Sequence, residues 1–201
     1  MGSSIAGPVG GRRVIGYDAT VGAAVGLWLR TGTIDMDALA RRMAVSRATL
    51  YRVVPGRDRL LGDVLWRQAG VLFARARRDA RGAGADRVLD VLRRFGEDIV
   101  SAQPFRQFIR AEPDTAIRVL FTPAGAVHER FVALNRDLLA EEAAAGTLVP
   151  PFDLDDLAYV FVRVYESMWY ADLLAGREPN LRVADCAARA MLRAATPPAD
   201  G

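Results

Sequence analysis

The sequence predicts an all-α protein, in which a small three-helix unit of helix-turn-helix type precedes a larger helical unit. Three observations predict this. Apolar residues recur at the helical period with no convincing alternation of period two, and the breaks between such runs are short and marked by Gly or Pro. A short stretch, Val45-Ser-Arg-Ala-Thr-Leu-Tyr-Arg, then sets cationic and hydrogen-bonding side chains on a helix too short to need them for a core. With 201 residues, 51% of them hydrophobic and 25% charged, the chain is long enough to bury a real core.

The first helix is predicted over 17–30, where Val21, Ala24, Val25, Trp28 and Leu29 form an apolar stripe and Thr31-Gly32 ends it. A second helix, 36–43, opens with acids that suit a helix N-terminus. The third covers 47–54 and stops before Pro55, and a long fourth runs 57–81. Beyond the Gly82-Ala-Gly84 break, helices are expected over 85–102, 104–110, 114–120 and 124–145. Pro150-Pro151 punctuates the chain, and helices 154–175 and 181–195 complete it. The organisation expected is a flexible tail (1–14), a helix-turn-helix domain (15–62), a second helical domain (63–196) and a frayed tail (197–201).

Composition narrows the chemistry. No apolar run approaches the ~20 residues needed to span a bilayer, and no apolar signal stretch precedes Arg12-Arg13, so a soluble cytoplasmic protein with no membrane partner is expected. One cysteine, Cys186, excludes an internal disulfide framework and reads as a small buried hydrophobe. The single histidine, His128, cannot build a histidine metal cluster; no cofactor is expected. Charge is divided: residues 1–81 hold 14 Arg and 6 acids, whereas 82–201 hold 13 Arg and 18 acids. The basic half is therefore the candidate for a polyanionic partner.

On a helical wheel of 47–54, Leu50 points inward with Val53 and Val54 on its side. Ala48 and Arg52 point outward, Thr49 and Tyr51 flank them, and Arg47 sits in the first turn behind Ser46 as N-cap. Leu39, Ala40, Met43, Val45, Leu50 and Val53 follow the apolar spacing of a helix-turn-helix, whose second helix enters the DNA major groove. The arginines would attract DNA through its phosphates, an attraction that falls steeply with salt.

Val45-Ser-Arg-Ala-Thr-Leu-Tyr-Arg followed by Pro55-Gly-Arg-Asp-Arg-Leu-Leu resembles the DNA-binding segment of the TetR family of transcriptional repressors, over about 17–65. The resemblance implies double-stranded operator DNA as partner. Ser46, Thr49, Tyr51 and Arg57 would belong to the DNA-binding set, the last three as phosphate contacts. Arg47 and Arg52 would reach base edges, where Arg bonds guanine O6 and N7 in bidentate fashion, and Ala48 would lie nearest the groove floor. Ala44 and Ala48 depart from glycines common in the family, and a left-handed Ala44 would cost on the order of 1 kcal/mol. Val53 and Val54 replace a polar or aromatic residue and a Phe, and Gly56 replaces a Ser/Asn cap.

The run Leu154–Leu174 is apolar on nearly every side, and the last helix is rich in small residues (Ala184, Ala187, Ala188, Ala190). These two helices resemble the family's dimer-forming pair, which implies a homodimer matched to a palindromic site. Aromatic residues spread over several helices read either as core or, as the resemblance implies, as walls of an apolar ligand cavity. The candidate set is Trp66, Phe73, Phe95, Phe108, Phe131, Tyr165 and Trp169, with Glu166 either exposed or a polar group of that cavity. More loosely, 165–179 resembles TetR-type regulators of quorum-signal (lactone) degradation, which implies a lactone or related acyl signal as effector. The alternative is an all-helical enzyme or a small-molecule or lipid carrier without DNA binding. Against it, the chain carries no phosphate-binding Gly loop, no HExxH and no nucleophile beside a His; Glu141-Glu142 and Asp155-Asp156 read as solvated surface.

Overall fold

The computed structural model describes residues 15–193. The expected tails (1–14 and 197–201) and the end of the expected last helix (194–195) lie outside them. Among the described residues are eleven helices and no strand: α1 (Tyr17–Thr31), α2 (Met36–Arg42), α3 (Arg47–Val53), α4 (Arg57–Asp79), α5 (Gly84–Ser101), α6 (Gln103–Ala111), α7 (Pro113–Phe121), α8 (Val127–Ala144), α9 (Leu154–Trp169), α10 (Ala171–Ala175) and α11 (Leu181–Arg193).

Local chemistry explains most of the boundaries. Gly32, at φ +66°, closes α1 and returns its N–H to the Trp28 carbonyl. Asp35 caps α2 by accepting from the Asp37 and Ala38 amides, and Asp153 does the same for α9 with Asp155 and Asp156. The central element is α4, which packs against α1, α5, α7 and α8. It approaches the turn before α8 so closely that a Cβ on Gly62 would lie 2.1 Å from the Gly125 carbonyl oxygen. Pairing of α9 with α8 and α11, and of α5 with α4 and α11, closes the second half.

Four expectations are corrected. The single helix foreseen over 154–175 breaks at Tyr170 (φ −108°, ψ 25°), whose ring packs beside Phe105 and Phe121 with centroids 5.8 and 5.4 Å away. The start of α8 moves from 124 to Val127 because Ala126 is left-handed, at φ +52°. Glu142 is buried, not solvated: its carboxylate accepts from the Gly84 amide (2.7 Å), the Thr147 hydroxyl (2.8 Å) and Arg87, tying α8 to the start of α5. Cys186 is exposed, because α11 buries its Ala184–Ala188–Leu192 stripe and Cys186 falls off that stripe.

Candidate functional site

Two features stand out: a polar helix face on α3, and a cavity enclosed by the helices behind it. The turn before α3 is set by backbone bonds. Val45 N–H reaches the Ala40 carbonyl and Ala44 N–H the Arg41 carbonyl, both at 3.1 Å, with Ala44 left-handed at φ +55°. The strained alanine foreseen in the sequence is therefore present, and it aims the chain into α3. Ser46 then caps that helix, its Oγ accepting from the Thr49 amide at 3.1 Å.

On α3, Leu50 is fully buried and the following Val54 nearly so, while Arg47, Ala48, Tyr51 and Arg52 are exposed and Thr49 is half-buried. The outward side chains brace one another. The Arg47 guanidinium lies 5.5 Å from the Tyr51 ring centroid and 3.1 Å from an Asp37 oxygen, and both neighbours raise its pKa above the ordinary value, Tyr51 most. Arg52 donates to the Thr49 hydroxyl at 3.0 Å. Arg57 behaves differently from the rest of the expected set. Its guanidinium turns inward, donating to the Ile34 carbonyl (2.9 Å), the Thr33 hydroxyl (3.0 Å) and Glu112 (2.7 Å). The bonds Glu112 accepts, from Arg57 first and then from the Thr33 hydroxyl, hold its carboxyl below the usual range despite partial burial.

Behind this unit lies a cavity of about 190 Å³. Its walls come from α1 (Trp28, Leu29), from one side of α4 (Leu65, Trp66, Gln68, Ala69, Val71, Leu72) and from α5 (Phe95, Ile99). Ala102, Pro104, Phe105, Leu120, Val127, Phe131, Glu166 and Tyr170 complete them. Leu29 and Val71, 49% and 65% exposed, mark where it meets the surface between α1 and α4.

Of the residues foreseen as ligand-facing, Trp66, Phe95, Phe131 and Glu166 line this cavity. Phe73, Phe108, Tyr165 and Trp169 do not; all four are packed into the core. Phe73 and Trp169 brace the backs of Phe95 and Phe131 at ring separations of 5.5 to 6.1 Å. Tyr165 spends its hydroxyl on Asp185 of α11, at 2.9 Å. Sequence reasoning missed Trp28, Leu29 and Tyr170 as wall residues. The first two belong to the apolar stripe of α1, and only their packing against α4 reveals a second role.

Glu166 is buried and not exposed: it is 5% exposed and at the cavity wall. Both carboxylate oxygens lie 3.0 Å from His128 Nδ1, and Arg163 donates to Oε2 at 3.1 Å. The His128 tautomer with a proton on Nδ1 is the one that donates to this carboxylate. Nearby, burial and then the Glu166 charge push the Tyr170 phenol far up, so it stays a neutral hydroxyl. Among the described residues no cluster of three His, Cys, Asp or Glu side chains could hold a metal ion, and no helix is long and apolar enough to cross a membrane.

Comparison with known proteins places this geometry. Residues 83–193 match the family model described as "Tetracyclin repressor-like, C-terminal domain". The fold is similar to that of the R. erythropolis transcriptional repressor QsdR from the TetR family, with a TM-score of 0.83 and 27% identity over 92% of this chain and 97% of that one. A TetR-family transcriptional regulator from Streptomyces coelicolor gives a TM-score of 0.47 and 18% identity, over 86% of this chain and 78% of that one. No curated protein matches the chain.

Proposed function

The chain belongs to the tetracycline repressor-like (TetR) family of transcriptional regulators, and from that premise we propose that it is a ligand-released repressor that binds a palindromic operator as a homodimer. Residues 15–62 read DNA, with Arg47 and Arg52 at base edges, Ala48 nearest the groove floor, and Ser46, Thr49 and Tyr51 toward the backbone. Residues 63–196 bind the effector and form the dimer, and the protein acts by binding rather than by turnover.

The observation that carries the reading is the position of α4. Its first residue, Arg57, is bonded within the helix-turn-helix unit, and its middle, from Leu65 to Leu72, walls the cavity. A small molecule in the cavity and a DNA duplex under α3 thus address one continuous helix. If the effector prefers a tilt of α4 that misplaces α3, release follows from its differential affinity for the two states.

Support for the dimer comes from α9 and α11. Tyr159, Val160 and Val183 are 48%, 40% and 44% exposed, large apolar side chains left open on the surface of the isolated chain. The effector is a small apolar molecule, and the resemblance of 165–179 to lactone-degradation regulators points to a lactone or acyl signal.

The test is binding of the purified protein to DNA from upstream of its own gene, against an unrelated fragment of equal length, at low and near-physiological salt. Preference for its own fragment that persists at the higher salt is expected, with a dimer by light scattering. Equal binding that salt abolishes would reduce the α3 face to a general polyanion surface. No binding at either salt, together with turnover of a small molecule, would turn the assignment toward an enzyme.

A further inference from the structure

Resting on the reading of the cavity as an effector site, we propose that it takes a neutral small molecule with an apolar body and a hydrogen-bond donor at one end, an amide N–H or a hydroxyl, and rejects the carboxylate of the same shape. The walls are almost wholly aliphatic and aromatic, and Glu166 is the one charged residue among the described residues that line them. It is held from behind. His128 and Arg163, neither of them a wall residue, bond its oxygens at 3.0 and 3.1 Å and fix the carboxylate as an acceptor.

A carboxylate offers about four lone-pair sites, so these contacts leave acceptor capacity for a ligand hydrogen. Arg163 already balances its charge, and a second cation is not called for. The remaining polar wall groups, the Gln68 amide, the Tyr170 phenol and the indole N–H groups of Trp28 and Trp66, are neutral. A ligand carboxylate would therefore set its acceptor oxygens against those of Glu166 with no wall cation to pair its own charge, and a buried unpaired charge is among the costliest arrangements a protein can hold.

Size sets the scale. An apolar cavity of about 150 Å³ accommodates benzene, so 190 Å³ suits a body of roughly eight to ten non-hydrogen atoms, with any longer tail leaving between Leu29 and Val71.

The test uses the full-length protein and an isosteric series: octanamide, octan-1-ol, octanoate and octylammonium at neutral pH. Binding is read without DNA, by thermal unfolding and by quenching of tryptophan emission, since Trp28 and Trp66 both form walls. Octanamide and octanol are expected to stabilise the protein and quench its emission, with octanamide binding at least tenfold more tightly than octanoate. Glu166→Gln is expected to narrow that gap severalfold by offering the ligand carboxylate an amide N–H while keeping an acceptor. Octanoate binding as tightly as octanamide would overturn the proposal. Octylammonium binding tightest, or no member binding at all, would do the same. Should Glu166→Gln fail to fold, the wild-type series alone decides. Octanamide that binds yet leaves a DNA complex intact would overturn ligand release and not this assignment, so the two readings fail separately.

Discussion

Arg57 and Glu112 meet at 2.7 Å, joining the first turn of α4 to the junction of α6 and α7. The same guanidinium is bonded to Thr33 and Ile34, and Thr33 also donates to Glu112, so three segments share one ionic knot. The family resemblance asks Arg57 to bind a DNA phosphate. A phosphate would have to compete with Glu112 for it.

Glu112→Gln is therefore expected to strengthen binding to operator and unrelated DNA alike, since phosphates are common to both, and to steepen the salt dependence. One newly recruited phosphate contact changes the slope of log K against log salt by about 0.9. Fluorescence anisotropy over a salt series measures both quantities. Unchanged affinity and slope would mean that Arg57 remains a structural cation when DNA is bound.

Two kinds of DNA contact are expected on the α3 face. Arg47 stands clear of the core on Tyr51 and Asp37, free to leave them for a base edge. Arg47→Ala is expected to weaken operator binding by roughly tenfold or more and to relax preference at one base position. Tyr51→Phe keeps the ring under Arg47 and removes only the hydroxyl, and should weaken all sequences equally. Competition binding against single-base operator variants distinguishes them. A uniform loss for Arg47→Ala would make it a phosphate contact instead.

What was legible in the sequence was chemistry that acts over a few residues. Ser46 as a cap, Thr31-Gly32 as a stop and a left-handed Ala44 all follow from local backbone bonding, and each is found. The apolar spacing around Leu50 likewise identified which side of α3 is buried. The cavity was legible only in part, because an aromatic residue lines a void or fills a core according to what lies across from it. Phe95 and Trp169 are alike in sequence context; one faces the cavity, and the other packs behind it against Gly96 of α5. Glu142 looked like the exposed neighbour of Glu141 until Gly84 and Arg87 came round to meet it. That contact joins residues 58 positions apart.

Gly96 shows how tightly that packing is set. A Cβ there would fall 2.4 Å from Trp169 Nε1 and 2.8 Å from Cε2. The indole cannot retreat easily, being packed against Phe95, Phe131 and Tyr165. Gly96→Ala is expected to destabilise the fold by about 1–3 kcal/mol through overpacking, a helix-propensity gain near 1 kcal/mol offsetting part of the strain. Because Trp169 backs two wall residues, the same variant should also alter octanamide binding. Urea unfolding measures the first effect. A variant as stable as wild type would show that the α5–α9 interface yields.

Asp90 carries a pH dependence whose sign follows from its surroundings. It sits on α5, where burial alone would raise its pKa. The guanidinium groups of Arg94 and Arg93 and the Arg81 amide outweigh that and bring it down to about 2. The Arg81 bond, at 3.0 Å, ties the link after α4 to α5, so the charge supports the helix that walls the cavity. In the unfolded chain the carboxyl returns to the ordinary value of 3.8. A folded pKa below the unfolded one means that the contribution is fully present above pH 4, declines as protons bind the unfolded state first, and is gone once pH falls through about 2. Its size at neutral pH is on the order of 2 kcal/mol, reduced somewhat by solvent screening. Asp90→Asn should therefore be less stable than wild type at pH 7, and the difference should shrink steadily between pH 4 and pH 2. Urea midpoints of both proteins across that range measure it. A difference that stays constant with pH would assign the loss to hydrogen-bond geometry, which the asparagine fails to reproduce, and not to the charge.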